Sequence, residues 1–141
     1  MINVNLDSSL DKICNNIKKK IENNANKLVE DCTKILYEEI KKECPVDTGE
    51  LRDSIEYNIE KSNNSVKGTI TSNKKYLIYV LYGTGKYAIN GRGRNTPWTY
   101  QDSNGKWHYT LGQQPNNFFR RAFINKEGEI RRKLKRYGKY W

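Results

Sequence analysis

The sequence predicts an α+β fold: a long N-terminal helix, a short second helix, an antiparallel sheet of three or more strands with an inserted hairpin, and a C-terminal helix. Three observations predict it. Apolar residues recur every three or four positions from Asp7 to Glu43, the period shortens to two after Ile55, and the longer period returns after Asn116. At 141 residues the chain has room for one core and not two, so a single domain over 1–141 is expected. Within it the long helix covers 7–44, the sheet 55–82, the inserted loop and hairpin 85–113, and the final helix 116–137.

In the first helix Leu10, Ile13, Ile17, Ile21, Leu28, Cys32, Ile35 and Ile40 form a narrow stripe, with Lys, Glu and Asn on the other faces. Asp7 or Ser8 is the expected N-cap. Pro45 is the expected stop, because proline lacks the N–H that a helix interior needs. If continuous, the helix is about 55 Å long at about 1.5 Å per residue. Asn23, Asn24 and Asn26 are weak helix formers and mark the place for a break. A helix longer than its domain is wide must project beyond its own core or pack along another chain.

Residues 47–54 read as the short helix, capped by Asp47 or Thr48, with Glu50 and Asp53 placing negative charge where the helix dipole favours it. Ile55, Tyr57 and Ile59 then alternate with polar residues, Ser62-Asn63-Asn64-Ser65 turns the chain, and Val66, Gly68 and Ile70 alternate again. Tyr76 to Tyr82 is apolar, aromatic and β-branched, and is expected to be the third and best-buried strand of a meander. Gly83 to Gly112 reads as an extended loop, of a length that in a compact domain is functional or mobile. Inside it, Trp98-Thr99-Tyr100 and Lys106-Trp107-His108-Tyr109 flank Asp102-Ser103-Asn104-Gly105, a hairpin with an Asn-Gly turn. In the final helix Phe119, Ala122, Phe123, Ile130, Leu134 and Tyr137 share one face, with a kink expected at Gly128.

Composition bounds the function. Apolar residues make up 35% and mean hydropathy is −0.95, so the core is lean, while ten Tyr, three Trp and three Phe carry much of the apolar surface. Rings with an apolar body and a polar tip suit faces completed by neighbouring subunits. The simpler alternative is an α+β monomer with a tyrosine-rich surface. The net charge of +10 is uneven: residues 1–44 balance eight Lys against eight acids, whereas 116–141 set nine basic groups against Glu127 and Glu129. Such a basic segment lies near DNA, near an acidic partner or in solvent. The three cysteines, Cys14, Cys32 and Cys44, are odd in number and lack CxxC spacing, which argues for a reducing compartment. No stretch approaches the roughly 20 apolar residues of a membrane span, and no signal-peptide block opens the chain, so a soluble product made in the cytoplasm is expected.

Chemistry is hard to assemble from these residues. Gly83-Thr84-Gly85-Lys86 and Gly91-Arg92-Gly93-Arg94 tempt a phosphate-loop reading, yet neither has the full spacing or the strand-to-helix setting. The single histidine, His108, has no acid or nucleophile close to it in sequence, and it excludes a His-based zinc site. Asp47 with Glu50 or Asp53 is better read as capping than as a catalytic carboxylate pair. No cofactor, metal or catalytic residue is expected.

At Pro45-Val46-Asp47-Thr48-Gly49, followed by Leu51-Arg52 and Ser54-Ile55, the chain resembles the tailed-phage tail-completion (head–tail joining, neck) proteins. Tyr79-Val80 with Tyr82-Gly83-Thr84, and Gln114-Pro115 with Phe118 or Phe119, Arg120 and Ala122, follow in the order that family shows. The resemblance covers roughly residues 8–136. It implies a ring, commonly of six copies, between the head's connector and the tail tube, located at the neck of a virion or tail-like particle. The partners it implies are further copies of the chain, portal or connector-side proteins and tail terminator or tube proteins, with DNA passing through the lumen; no membrane is implied. The departure is the long insertion at Gly85–Gln113, whose Trp98, Tyr100, Trp107 and Tyr109 are candidate contacts to a neighbour. Arg131, Arg132 and Arg136 are candidates for facing DNA or an acidic partner. Without the family, Pro45 to Ile55 is a corner: Gly49 permits close packing against a neighbouring backbone, and Arg52 pairs across an interface or anchors the short helix to the sheet. Two rival readings stand beside the ring: a DNA-binding protein using the basic C-terminal helix, and a small hydrolase or nuclease.

Overall fold

The computed structural model describes residues 6–138, with side chains from residue 10 to 137. α1 (Leu6–Glu43) is one helix of 38 residues, about 57 Å long. It passes unbroken through Asn23, Asn24 and Asn26, so the continuous alternative holds. Those three residues cost about 2 kcal/mol relative to alanine, and a helix already propagating on both sides tolerates that. The backbone is already helical at Leu6, so neither Asp7 nor Ser8 takes the cap position. Pro45 does end the helix, one residue after Cys44 N donates its last bond to Ile40 O at 2.9 Å.

The corner that follows is tighter than predicted. α2 (Glu50–Asp53) is a single turn, and its cap position is held by Gly49 at φ 85° rather than by Asp47 or Thr48. Thr48 Oγ1 only accepts a long 3.4 Å bond from Glu50 N. The glycine is needed for its left-handed backbone. No neighbouring backbone presses on it, since a Cβ there would meet only the Asp53 carboxylate at 3.7 Å and the Arg52 guanidinium at 3.9 Å. Ser54 then stitches the corner to the ribbon, donating to Leu51 O at 2.7 Å and lying 2.6 Å from the Ser72 hydroxyl.

β1 (Ile55–Lys61) and β2 (Val66–Ser72) pair antiparallel from Ile55↔Ser72 to Lys61↔Val66, around a turn closed by Ser62 N on Ser65 O at 2.8 Å. The face bearing Ile55 and Tyr57 packs on α1, where the Tyr37 and Tyr57 rings lie 4.9 Å apart. Gly68 on the same face lets the helix come close: a Cβ there would run into the Thr33 side chain. This is a ribbon of two strands, not a sheet of three.

The predicted third strand is a helix. α3 (Leu77–Tyr82) buries Val80 and Leu81 and half-buries Leu77, while Ile78, Tyr79 and Tyr82 face outward. An inward set at i, i+3 and i+4 is helical spacing, and a short apolar run carries no period of its own to distinguish helix from strand. A 3-10 turn at Gly85–Tyr87 follows, then β3 (Trp98–Gln101) and β4 (Trp107–Thr110), a separate two-stranded hairpin in register Trp98↔Thr110 to Gln101↔Trp107.

α4 (Phe118–Gly138) runs unbroken through Gly128 and lies antiparallel along the second half of α1, with Arg121 at Glu43, Lys126 at Glu39 and Lys133 at Asp31. Asn117 opens it, its side-chain oxygen accepting from Arg120 N at 3.0 Å. The predicted inward face is rotated: Phe118 and Ala122 are fully buried, Phe119, Ile130 and Tyr137 are half-buried, and Phe123 and Leu134 look outward. Phe118 and Ala122 join Ile40, Cys44, Leu51, Ile55, Val80 and Leu81 in a small core where α1, the corner, β1, α3 and α4 meet.

Candidate functional site

Among the described residues, the features that stand out are apolar faces left open and a neck of crossing backbone. Gly83, with its φ of 77°, ends α3, and Gly85 and Gly112 cross beside it. Thr84 N donates to Gln113 O at 3.0 Å, Gln113 N donates to Thr84 Oγ1 at 2.9 Å, and Lys86 N donates to Leu111 O at 2.9 Å. A Cβ on Gly85 would strike the Leu111 carbonyl and the Trp98 ring, and one on Gly93 would strike the Gly85 carbonyl. The glycine pairs therefore serve chain crossing. The amides of Gly83, Thr84, Lys86, Gly91 and Arg92 are engaged within the chain, and a 3-10 turn of only three residues follows Thr84, which is not the helix N-terminus a phosphate loop needs.

The neck turns the hairpin into a defined element with two unlike faces. Trp98, Tyr100, His108 and Thr110 alternate on one face, Gln101, Trp107, Thr99 and Tyr109 on the other. Trp98 turns back onto the neck, with the Arg94 guanidinium 5.8 Å from its ring centre, and Tyr100 stacks on His108 at 5.2 Å. Trp107 and Tyr109 are 66% and 71% exposed. Of the four aromatic contacts named from sequence, these two are the most exposed, Tyr100 is 48% exposed and Trp98 is half-buried. The turn is more elaborate than an Asn-Gly pair: Asp102 accepts from Asn104 N and Lys106 N at 2.9 Å each, and its other carboxylate oxygen lies 2.7 Å from His108 Nε2. The His108 hydrogen bond, followed by the Lys106 amide, holds the Asp102 carboxyl below its ordinary range. The expectation that no acid lies close to His108 is corrected by this pair; its signal is an acid that opens the turn and a histidine two residues into the returning strand. Its work is closing the hairpin.

Two larger apolar surfaces lie open. The first is the stripe Leu10, Ile13, Ile17 and Ile21 on the first half of α1, exposed by 38–55%. From Leu28 onward the same helical face is covered. The second is a groove of about 550 Å³ on the outer side of α3, walled by Ile78, Tyr79, Tyr82, Ala88 and Ile89, with Arg92 at its rim. The corner residues sit elsewhere: Leu51 is core, Pro45, Val46, Asp47 and Thr48 are exposed, and Arg52 pairs with neighbouring Asp53 at 3.7 Å instead of anchoring to the ribbon. Pro115 lies against Gly83, and Phe119 packs on Phe118 with ring centres 5.1 Å apart.

The basic helix is partly spent inside the chain. Arg121 pairs with Glu43, Lys126 with the buried Glu39 at 3.7 Å, Lys133 with Asp31 at 3.9 Å, and Arg131 with Glu127 at 2.7 Å. Among the described residues Arg132 and Arg136 form no ion pair, and Arg131, though paired with Glu127, keeps its side chain 70% exposed. Among the described residues, too, no helix is long and apolar enough to cross a membrane, and no group of three metal-ligating side chains forms.

The family model described as "Bacteriophage HK97-gp10, putative tail-component" matches residues 8–83. The match takes in α1, the corner, the ribbon and α3, and stops at the glycine that opens the neck; the hairpin and α4 lie beyond it. No curated protein and no solved structure matches the chain.

Proposed function

The chain belongs to the HK97-gp10-like family of bacteriophage tail components, and on that premise we propose that it is a non-enzymatic structural protein that forms a ring at the neck of a tailed phage, prophage or tail-like particle. In this reading the ring, of six copies, completes the tail and joins it to the connector below the head. The chain acts as one domain throughout, and its mechanism is geometric. The single observation that carries the reading is the first half of α1, which holds its apolar stripe away from the core, 38–55% exposed, with the β1–β2 turn facing Ile17 and Ile21 across an open cleft. The exposed hairpin face, Trp107 and Tyr109, serves a connector-side or tail-side neighbour. Arg132 and Arg136 are the groups left for DNA in the lumen or for an acidic partner.

Electron microscopy of particles made without this chain tests the role. Separate filled heads and separate finished tails are the expected products, and label on the chain should fall at the neck of complete particles. Normally joined particles in its absence would remove it from the neck.

A further inference from the structure

We propose that the far end of α4 is a phosphate-binding face for duplex DNA, with Arg131, Arg132, Lys135 and Arg136 gripping the backbone and Gly128 letting it come close. This rests on the neck reading above, where DNA crosses the ring, and commits the open arginines to DNA in place of an acidic partner. Positions 131, 132, 135 and 136 form a two-by-two block on the helix surface, about 8 Å long. All four residues are exposed. Arg132, Lys135 and Arg136 form no ion pair among the described residues, and Arg131 shares its charge with Glu127 at the edge of the block. Asp31, the α1 acid beside this stretch, is taken by Lys133 and the Tyr137 hydroxyl.

Gly128 supplies a second, independent observation. α4 runs through it unbroken, although a glycine inside a helix costs about 1 kcal/mol relative to alanine. Packing does not ask for it: a Cβ there would meet only the Arg132 guanidinium, at an ordinary 3.6 Å. It is exposed and lies one turn before Arg131 and Arg132, so bare backbone borders the block where a strand of phosphates can approach. Chemistry separates the two kinds of partner. Protein interfaces have apolar and aromatic centres, but Phe123 and Leu134 emerge about 100° or more round the helix from Gly128, Arg132 and Lys135. Ile124 lies closer, a turn before Gly128 and outside the block. Guanidinium and ammonium groups without an apolar centre suit phosphate oxygens. Binding through phosphates is indifferent to base sequence and weakens steeply with salt.

Fluorescence anisotropy of a labelled duplex of about 20 base pairs, titrated with the purified full chain at salt from about 50 to about 200 mM, is the test. Neutralising about four phosphates gives a slope of about −3.6 in log K against log salt, a loss of about a hundredfold across that range. Arg132→Gln, Lys135→Gln and Arg136→Gln together should flatten the slope by about 3. Lys18→Gln, Lys19→Gln and Lys20→Gln together remove the same charge from the free half of α1 and should leave the slope unchanged. Gly128→Ala should weaken binding several-fold while raising the unfolding midpoint, so that its loss is not one of folding. Unchanged binding by that variant would overturn the close approach at the glycine. Equal losses from the two triple variants would mean attraction to the net charge of +10 and overturn the face. Absence of binding at the lowest salt overturns it too, and a polyglutamate peptide bound more tightly than the duplex overturns DNA in favour of an acidic protein. In each of these cases the neck role is judged separately by the particle images.

Discussion

Arg121 does three jobs with one guanidinium. Its Nε pairs with the Glu43 carboxylate, one terminal nitrogen donates to the Glu43 carbonyl at 3.2 Å, and the other donates to Asn116 Oδ1 at 2.9 Å. It thereby satisfies a carbonyl of the last turn of α1, places positive charge at the negative end of the helix dipole, and joins α4 to α1. In the sequence it is one more charge in a basic run, because the acid that claims it lies 78 residues away. Arg121→Ala should lower stability by about 1–2 kcal/mol in urea unfolding; an unchanged midpoint would make the contact incidental. Asp102 offers a pH test. Its folded pKa is depressed, by His108 first, so its contribution is complete above the ordinary carboxylate range and is lost as pH falls through the lowered value. The hairpin should loosen below about pH 4, seen as loss of amide protection at Asn104 and Lys106, while Asp102→Asn should flatten the acid dependence.

At the scale of elements, what the sequence made legible followed from how much period each segment contains. α1 repeats its stripe over ten turns, and the β3–β4 hairpin announces itself through Asp102 and Gly105, so both were found close to their true bounds. α3 has six residues, too few to display a period, and its helical form is set by the core that takes Val80 and Leu81. α4 was located correctly but turned, because neighbouring Phe118 and Phe119 offer two phases and the core chose the first. Gly68 makes a sharper prediction than any of these. Gly68→Val forces β2 off α1 at Thr33 and should cost about 1–3 kcal/mol, whereas Gly91→Ala, with open space around it, should show only the smaller strain of its positive φ. Equal losses at the two sites would refute the close approach.

The whole molecule is a small core with long extensions, and its cysteines sample that gradient. Cys14 is exposed on the free half of α1, Cys32 is half-buried under α4, and Cys44 is in the core; burial raises the thiol pKa of the latter two. Thiol-specific reagents should modify the monomer in the order Cys14, Cys32, Cys44, with Cys44 reacting only as the chain opens. Fast labelling of Cys44 in the folded chain would contradict the placement of the core. The tail-component family was readable because one family pattern spans α1 to α3. The surfaces beyond it depend on contacts between distant residues, and no local pattern encodes those.

The unbroken passage of α1 through its asparagines has a torsional consequence. Leu28 to Ile40 are clamped by α4 and the ribbon, so the compass bearing of Leu10 to Ile21 is fixed like the head of a key by its shank. Adding one residue between Asn23 and Lys27 would swing that bearing by about 100°, while adding eleven would return it to within about 20° and carry it roughly 16 Å outward. Assembly should fail with the first insertion and return, in particles of altered neck spacing, with the second.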